Sequence, residues 1–368
     1  MRCRLGCMLC LVTSFSVYIG LFLFTWTERS ETSSSSIVGP PQGIAWGFRN
    51  VYIDQEKAAK RVNEPSHDDN NNNNEASQTK RGDTDTGKHG DDKSLAADEP
   101  PPKSFDKDPF GYVTLDGRKA LDLHCSQCAL ISASGQLLNS GSGEDIDNIP
   151  CVVRMNQAPT KGFESDVGSK TTIRFTAHSS LPSLMRDPML MDDVIGRPQY
   201  IIFWGPPKEM DSGGSGVVYN EISALSMKYP YINFIVLTND QYQYAEYVFR
   251  EETGKDRITS GSWLTTGWFT MILLRNICDS ISIYGMVSPG YCQSPTKPDV
   301  PYHYFSPNGF KECAQYREHE NAKAHGHRFM SEKYVFIRWA LTKYNITFHS
   351  PEIPLTNLME FNKPKFLT

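Results

Sequence analysis

In the segment Ala129-Leu-Ile-Ser-Ala-Ser-Gly135 an apolar run gives way at once to small residues. The apolar part reads as a strand buried on both faces, and the small residues after it let a phosphate or a sugar approach the backbone closely. The same pattern continues along the chain. Further strands are expected at Val152 to Asn156, Thr171 to Thr176, Tyr200 to Trp204, Asn233 to Leu237, Ser280 to Tyr284 and Ile346 to His349. Helices are expected over Tyr219 to Tyr229, Asp240 to Glu252, Trp268 to Ile277 and Ser331 to Tyr344. Apolar strands alternating with helical stretches point to an α/β architecture, a Rossmann-like, mostly parallel sheet of about seven strands flanked by helices. Ligands of such sheets bind beyond the carboxyl ends of the strands, so chemistry is expected in the loops leaving those ends. The segment 129–135 alone fits a tight structural turn equally well, because no complete G-x-G-x-x-G is present.

Outside this part the chain changes character. Arg2 and Arg4 precede an apolar stretch over residues 5–26, long enough to cross a bilayer as a helix. Basic residues ahead of it make residues 1–4 a cytoplasmic tail and place the chain beyond the span in the lumen. A cleaved signal peptide is the competing reading, but the run is longer than a usual h-region. Residues 27–108 are rich in Ser, Asn, Asp, Lys, Gly and Pro and read as a disordered lumenal stem, in which Asp83-Thr-Asp85 is a solvated charge cluster rather than a metal motif. Residues 109–368 are enough for one large domain. With 37 Lys and Arg against 42 Asp and Glu, the net charge of −5 gives no support for a nucleic-acid partner.

Three of the nine cysteines, Cys3, Cys7 and Cys10, lie in or beside the apolar stretch. The other six, Cys125, Cys128, Cys151, Cys278, Cys292 and Cys313, form an even set that a lumenal compartment would oxidise, with buried free thiols as the alternative. A redox pair at Cys125-Ser-Gln-Cys128 would need a strand before it, and here the strand comes after.

Three further places carry chemistry. Asn156, in Val153-Arg-Met-Asn-Gln-Ala-Pro159, is a carboxamide at a strand end that suits a cytosine or ribose edge, or caps a turn before Pro159. Thr265, Thr266 and Gly267, in Trp263-Leu-Thr-Thr-Gly-Trp268, sit at a helix start where N–H groups and hydroxyls could converge on an anion, although ordinary capping needs only one hydroxyl. Two histidine segments, Pro301-Tyr-His-Tyr-Phe305 and His325-Gly-His-Arg-Phe-Met-Ser-Glu332, offer imidazoles for proton transfer. The rival for these, a zinc site of His303, His325, His327 and Cys313, matches no common ligand spacing.

Together and in this order, the segments resemble the animal sialyltransferases and their sialylmotifs. The large motif looks like Cys128–Gly135 through Arg154-Met-Asn156 and Asp166-Val-Gly168 to about Ser179. The small motif looks like Leu264-Thr-Thr-Gly267 through Cys278-Asp279 to Tyr284-Gly285, the third is Tyr302-His-Tyr304, and the very small motif is His327 with Glu332. Gly267-Trp-Phe-Thr-Met271, Phe203-Trp-Gly-Pro206 and Glu252-Thr-Gly-Lys-Asp256 look most like the N-acetylgalactosamine α2,6-sialyltransferases of the branch acting on sialylated Gal-GalNAc.

The resemblance implies a modified type A glycosyltransferase fold in one catalytic domain, CMP-sialic acid as donor, and neither a cofactor nor a metal. It also implies a sialylated glycolipid or O-glycan as acceptor and a Golgi membrane location. The alternatives are a galactose or sialic acid acceptor, or a non-catalytic lumenal glycan-binding or nucleotide-sugar-binding module. By the same resemblance His327 is the general base, His303 with Tyr304 assists the leaving phosphate, and Glu332 orients the His327 segment. Ser132, Ser134, Asn156, Thr265, Thr266 and Gly267 would line the donor site, with Gly285 giving backbone access. Ala133 stands where some relatives carry Asn. The shared disulfide maps to Cys128–Cys278, with Cys292–Cys313 and Cys125–Cys151 as the remaining pairs. Asn345-Ile-Thr347 is a glycosylation sequon.

Overall fold

The computed structural model describes residues 104–367. The expected anchor, Cys3, Cys7, Cys10, Asp83-Thr-Asp85 and nearly all of the stem lie outside the described residues. Phe105 already packs its ring against Tyr244 and Tyr247, at 5.4 and 5.6 Å between centroids. Asp108 accepts hydrogen bonds from Arg275 and Asn276. Among the described residues no helix is long and apolar enough to cross a membrane.

Among the described residues ten strands form: β1 (Tyr112–Thr114), β2 (Cys128–Ile131), β3 (Cys151–Met155), β4 (Ile173–Ala177), β5 (Tyr200–Trp204), β6 (Asn233–Leu237), β7 (Ser262–Trp263), β8 (Ile281–Tyr284), β9 (Gly326–His327) and β10 (Ile346–His349). Eight of them make one sheet in the order β1-β6-β5-β4-β3-β2-β8-β10, and β7 with β9 makes a separate two-stranded ribbon. Every pairing in the large sheet is parallel except that of β1 with β6. The seven expected strands are all present, and β1 is the addition at the edge.

The apolar runs are continuous because both faces are covered. Leu130, Val153, Phe175, Ile202 and Ile283 face one core cluster together with Trp268, Phe269, Met271 and Leu274 of the helix Thr266–Ile277. Ala129, Ile131 and Val152 face a second cluster with Tyr304, while Ile201, Phe203 and Phe234 face a third. After the edge strand β1, the parallel part of the sheet begins at β2 and steps outward through β3 to β6. The chain then returns to place β8 and β10 on the other side of β2. The winding therefore reverses between β2 and β8, where open α/β sheets form their binding crevice.

Three disulfides lock this frame: Cys125–Cys151, Cys128–Cys278 and Cys292–Cys313. Cys128–Cys278 joins residues 150 apart, the start of β2 and the end of the helix that covers it. In the chain-entropy picture such a long closure constrains the unfolded chain by on the order of 5 kcal/mol. Since Cys125 and Cys128 bond to different partners, they do not form a redox pair. Asn345 is exposed, directly before the edge strand β10.

Candidate active site

The loops leaving β2 and β8 meet at the crevice. Ser132 follows β2, and its hydroxyl donates to the Gly285 carbonyl at 3.1 Å. Gly285 takes φ of 80°, and a Cβ there would lie 2.3 Å from Ser132 Oγ, so only glycine fits against this turn. The next hydroxyl, Ser134, is buried. It donates to Glu312 Oε1 at 2.6 Å and accepts from the Gln136 N–H. Glu312 also accepts from Gln136 Nε2 at 2.7 Å and from the Tyr316 hydroxyl at 2.7 Å. Ser134 thus clamps the loop after β2 to the helix Glu312–Asn321.

Asn156 follows β3 with φ of 50°, the left-handed region that Asn tolerates. Its Oδ1 accepts the Ala177 N–H at 3.0 Å, and its carbonyl accepts from Arg174 at 2.7 Å. The carboxamide oxygen is thus engaged in the turn, and its NH2 has no partner among the described residues. Arg174 is fully buried on β4 and also donates to the Ala158 carbonyl, so it shapes this loop from below. Tyr304 holds the same loop from another side through its hydroxyl bond to the Pro159 carbonyl, and burial raises its pKa to about 12. That bond makes Tyr304 a brace for the loop.

The helix Thr266–Ile277 starts beside the end of β3, where Met155 Sδ lies 4.0 Å from the point a Cβ on Gly267 would occupy. Thr265 is its cap: the hydroxyl oxygen accepts the Trp268 N–H at 3.0 Å and also meets Glu332, which accepts the Thr265 N–H at 3.0 Å as well. Thr265 thus ties the helix start to the C-terminal helix. Thr266 and Gly267 keep backbone N–H groups unpaired among the described residues at the positive end of a 12-residue helix, an arrangement that favours an anion. Glu332 is buried, and burial pushes its carboxyl up to about 8. It therefore sits largely protonated near neutrality, and its position fixes the C-terminal helix Phe329–Thr342 against the Thr265 cap.

His327 lies on β9, opposite Trp263 of β7. Its Nδ1 is 2.8 Å from the Trp263 carbonyl. A carbonyl can only accept, so the proton sits on Nδ1 and the lone pair on Nε2, the state a general base requires. Burial lowers the His327 pKa, so the neutral form persists below the ordinary histidine range. Two short links tie the His327 segment to the helix start: His327 to Trp263, and Glu332 to Thr265. His303 differs. It stacks on Phe305 at 4.9 Å and on Tyr302 at 4.5 Å, burial lowers its pKa to about 4, and no hydrogen bond fixes its ring among the described residues.

The rival zinc set loses Cys313 to the bond with Cys292. Cys125, Cys128 and Cys151 lie close together, but all three are in disulfides. Asp145-Ile-Asp147 is an Asp-x-Asp in the catalytic domain, which was expected to hold none; Asp147 accepts the N–H groups of Ser169 and Lys170 at 2.9 Å, a structural use. The sequence reading also missed Glu312, Arg174 and His319. The last stacks on His327 at 5.3 Å with 14° between the rings. A cavity of about 430 Å³ lined by Val194, Ile195, Arg197 and Tyr231 opens at the amino ends of β5 and β6, the opposite end of the sheet from these groups.

The profile of glycosyltransferase family 29 (sialyltransferase) matches residues 109–338, and the chain belongs to this family. Alpha-N-acetylgalactosaminide alpha-2,6-sialyltransferase 3 of Mus musculus is 43% identical over 247 residues, 67% of this chain and 80% of that protein. The Homo sapiens alpha-N-acetyl-neuraminyl-2,3-beta-galactosyl-1,3-N-acetyl-galactosaminide alpha-2,6-sialyltransferase is 43% identical over 242 residues, 66% of this chain and 80% of that protein. A crystal structure of a mammalian sialyltransferase matches over 61% of this chain and 68% of its own, at 22% identity and a TM-score of 0.37.

Proposed function

We propose that this chain transfers sialic acid from CMP-sialic acid to the 6-hydroxyl of GalNAc in sialylated Gal-GalNAc glycans of glycolipids or O-glycoproteins. The relatives at 43% identity carry names of that specificity, which supports the acceptor, and membership of the family supports the donor. The observation that carries the chemistry is the His327 Nδ1 bond to Trp263, which leaves Nε2 as the basic nitrogen.

The anomeric carbon of sialic acid is tertiary and bears a carboxylate, so departure of CMP develops oxocarbenium character that needs little push from the nucleophile. Positioning then dominates. In this reading the N–H groups of Thr266 and Gly267 and the Asn156 carboxamide bind the anionic donor, and the His303 segment is held to the first loop by the Tyr304 N–H, which donates to the Ala133 carbonyl at 2.8 Å. His327 takes the proton of the acceptor hydroxyl as it attacks the face opposite CMP, which inverts the β-linked donor to an α-glycoside. The reaction proceeds without a metal or other cofactor in this proposal, so EDTA leaves the rate unchanged. The chain acts as a single-pass type II protein of the Golgi membrane, with residues 109–368 in the lumen.

The full-length chain, incubated with CMP-sialic acid and either a sialylated Gal-GalNAc glycopeptide or a ganglioside, should yield a product whose new linkage is α2,6 to GalNAc by mass spectrometry. A product linked to galactose or to sialic acid would shift the acceptor and keep the donor. Absence of CMP release with every acceptor would make the domain a binding module.

A further inference from the structure

The helix Glu312–Asn321 carries its catalytic consequence at its last turn. The backbone N–H of His327 donates to Nδ1 of His319 at 3.2 Å, and the two imidazoles stack. Phe329 stands 5.3 Å from both rings. Arg328 ties the two segments together. Its guanidinium donates to the carbonyls of His319 at 2.6 Å and Ala322 at 2.8 Å, and to Ser262 Oγ at 2.9 Å on the ribbon that holds the base. The approach is so close that a Cβ on Gly326 would fall 2.4 Å from the His319 carbonyl.

We propose that His319 is a positioning residue for His327: as a neutral imidazole it accepts the His327 N–H and stacks on its ring, which sets the base at the angle where Nδ1–H meets Trp263 and Nε2 is bare. This rests on His327 being the base. The arrangement requires the His319 proton to be on Nε2, because a doubly protonated His319 would turn an N–H toward the N–H of His327. The charged groups around His319 are Glu318 on its own helix and Arg328 and His327 on the facing segment. The Glu320 carboxylate is turned away to Ser331 and the Met330 N–H. Burial lowers the His319 pKa, so the contact survives mild acid and is lost at lower pH. Acid then disarms the site by two routes, protonation of the base and loss of the contact that places it.

The test uses the full-length chain carrying His319→Leu, His319→Asn or His327→Ala, with kcat, donor KM, melting temperature and pH profile measured for each. Leu keeps bulk without an acceptor, and should lower kcat about a hundredfold, the cost of an ångström-scale misplacement, with donor KM changed less than about twofold. Asn offers Oδ1 near the place of Nδ1 and cannot be protonated. It should recover at least about tenfold in kcat over Leu, and reduce the acid limb of log kcat/KM from a slope approaching two to a slope of one. If His319→Leu fails to fold, the slope in His319→Asn decides. A His319→Leu enzyme within about threefold of wild type, or an unchanged acid slope in His319→Asn, overturns the proposal while leaving His327 as base. Full activity in His327→Ala would instead overturn the base and this inference with it.

Discussion

The two histidine segments look equivalent as sequence, and the fold treats them oppositely. His327 is held by its backbone, by a ring partner and by a carbonyl that fixes its tautomer. His303 lies among aromatic rings with a pKa lowered to about 4, and among the described residues no hydrogen bond chooses which nitrogen carries the proton. A general base needs an orienting partner, and of the two histidines His327 has one among the described residues. Burial favours the neutral form of His303, which can offer an N–H to a departing phosphate.

Substitutions should separate the two. His327→Ala should lower kcat by about a hundredfold to ten-thousandfold while the melting temperature changes little, since the side chain is only half-buried. His303→Gln, which retains an N–H donor, should cost about tenfold in kcat and leave the acid limb where it is; movement of that limb would return His303 to the proton transfer. Tyr304→Phe should have the smallest effect, a loss of about 1 kcal/mol of stability from one buried hydrogen bond, with kcat close to wild type. A large kcat loss with unchanged stability would put the Tyr304 hydroxyl at the phosphate.

The sheet was legible because strands buried on both faces must be apolar throughout, and all seven expected runs became strands. β1 and the β7–β9 ribbon were not, because two or three residues carry no period; their pairing depends on partners more than sixty residues away. The helix Glu312–Asn321 escaped for a different reason. Its buried face consists of Glu312, Cys313 and Tyr316, held by a disulfide and a polar network instead of an apolar stripe, and His319 was hidden with it. At the site, residue type showed where chemistry gathers but not which atoms remain available. Ser134, Thr265 and Tyr304 have the right groups in the right loops, yet their hydroxyls close bonds to Glu312, Glu332 and Pro159. Only coordinates reveal that Asn156 sits in a left-handed turn with its oxygen engaged.

The most direct measurement is the pH dependence of kcat/KM for the full-length chain beside that of His327→Ala. A buried imidazole with a lowered pKa should give the wild-type enzyme an acid limb whose midpoint lies below the ordinary histidine value of about 6.5, with activity rising as the pH passes through it. The slow residual rate of His327→Ala should show no such limb. An identical limb in both proteins would place the titrating base elsewhere and contradict the account.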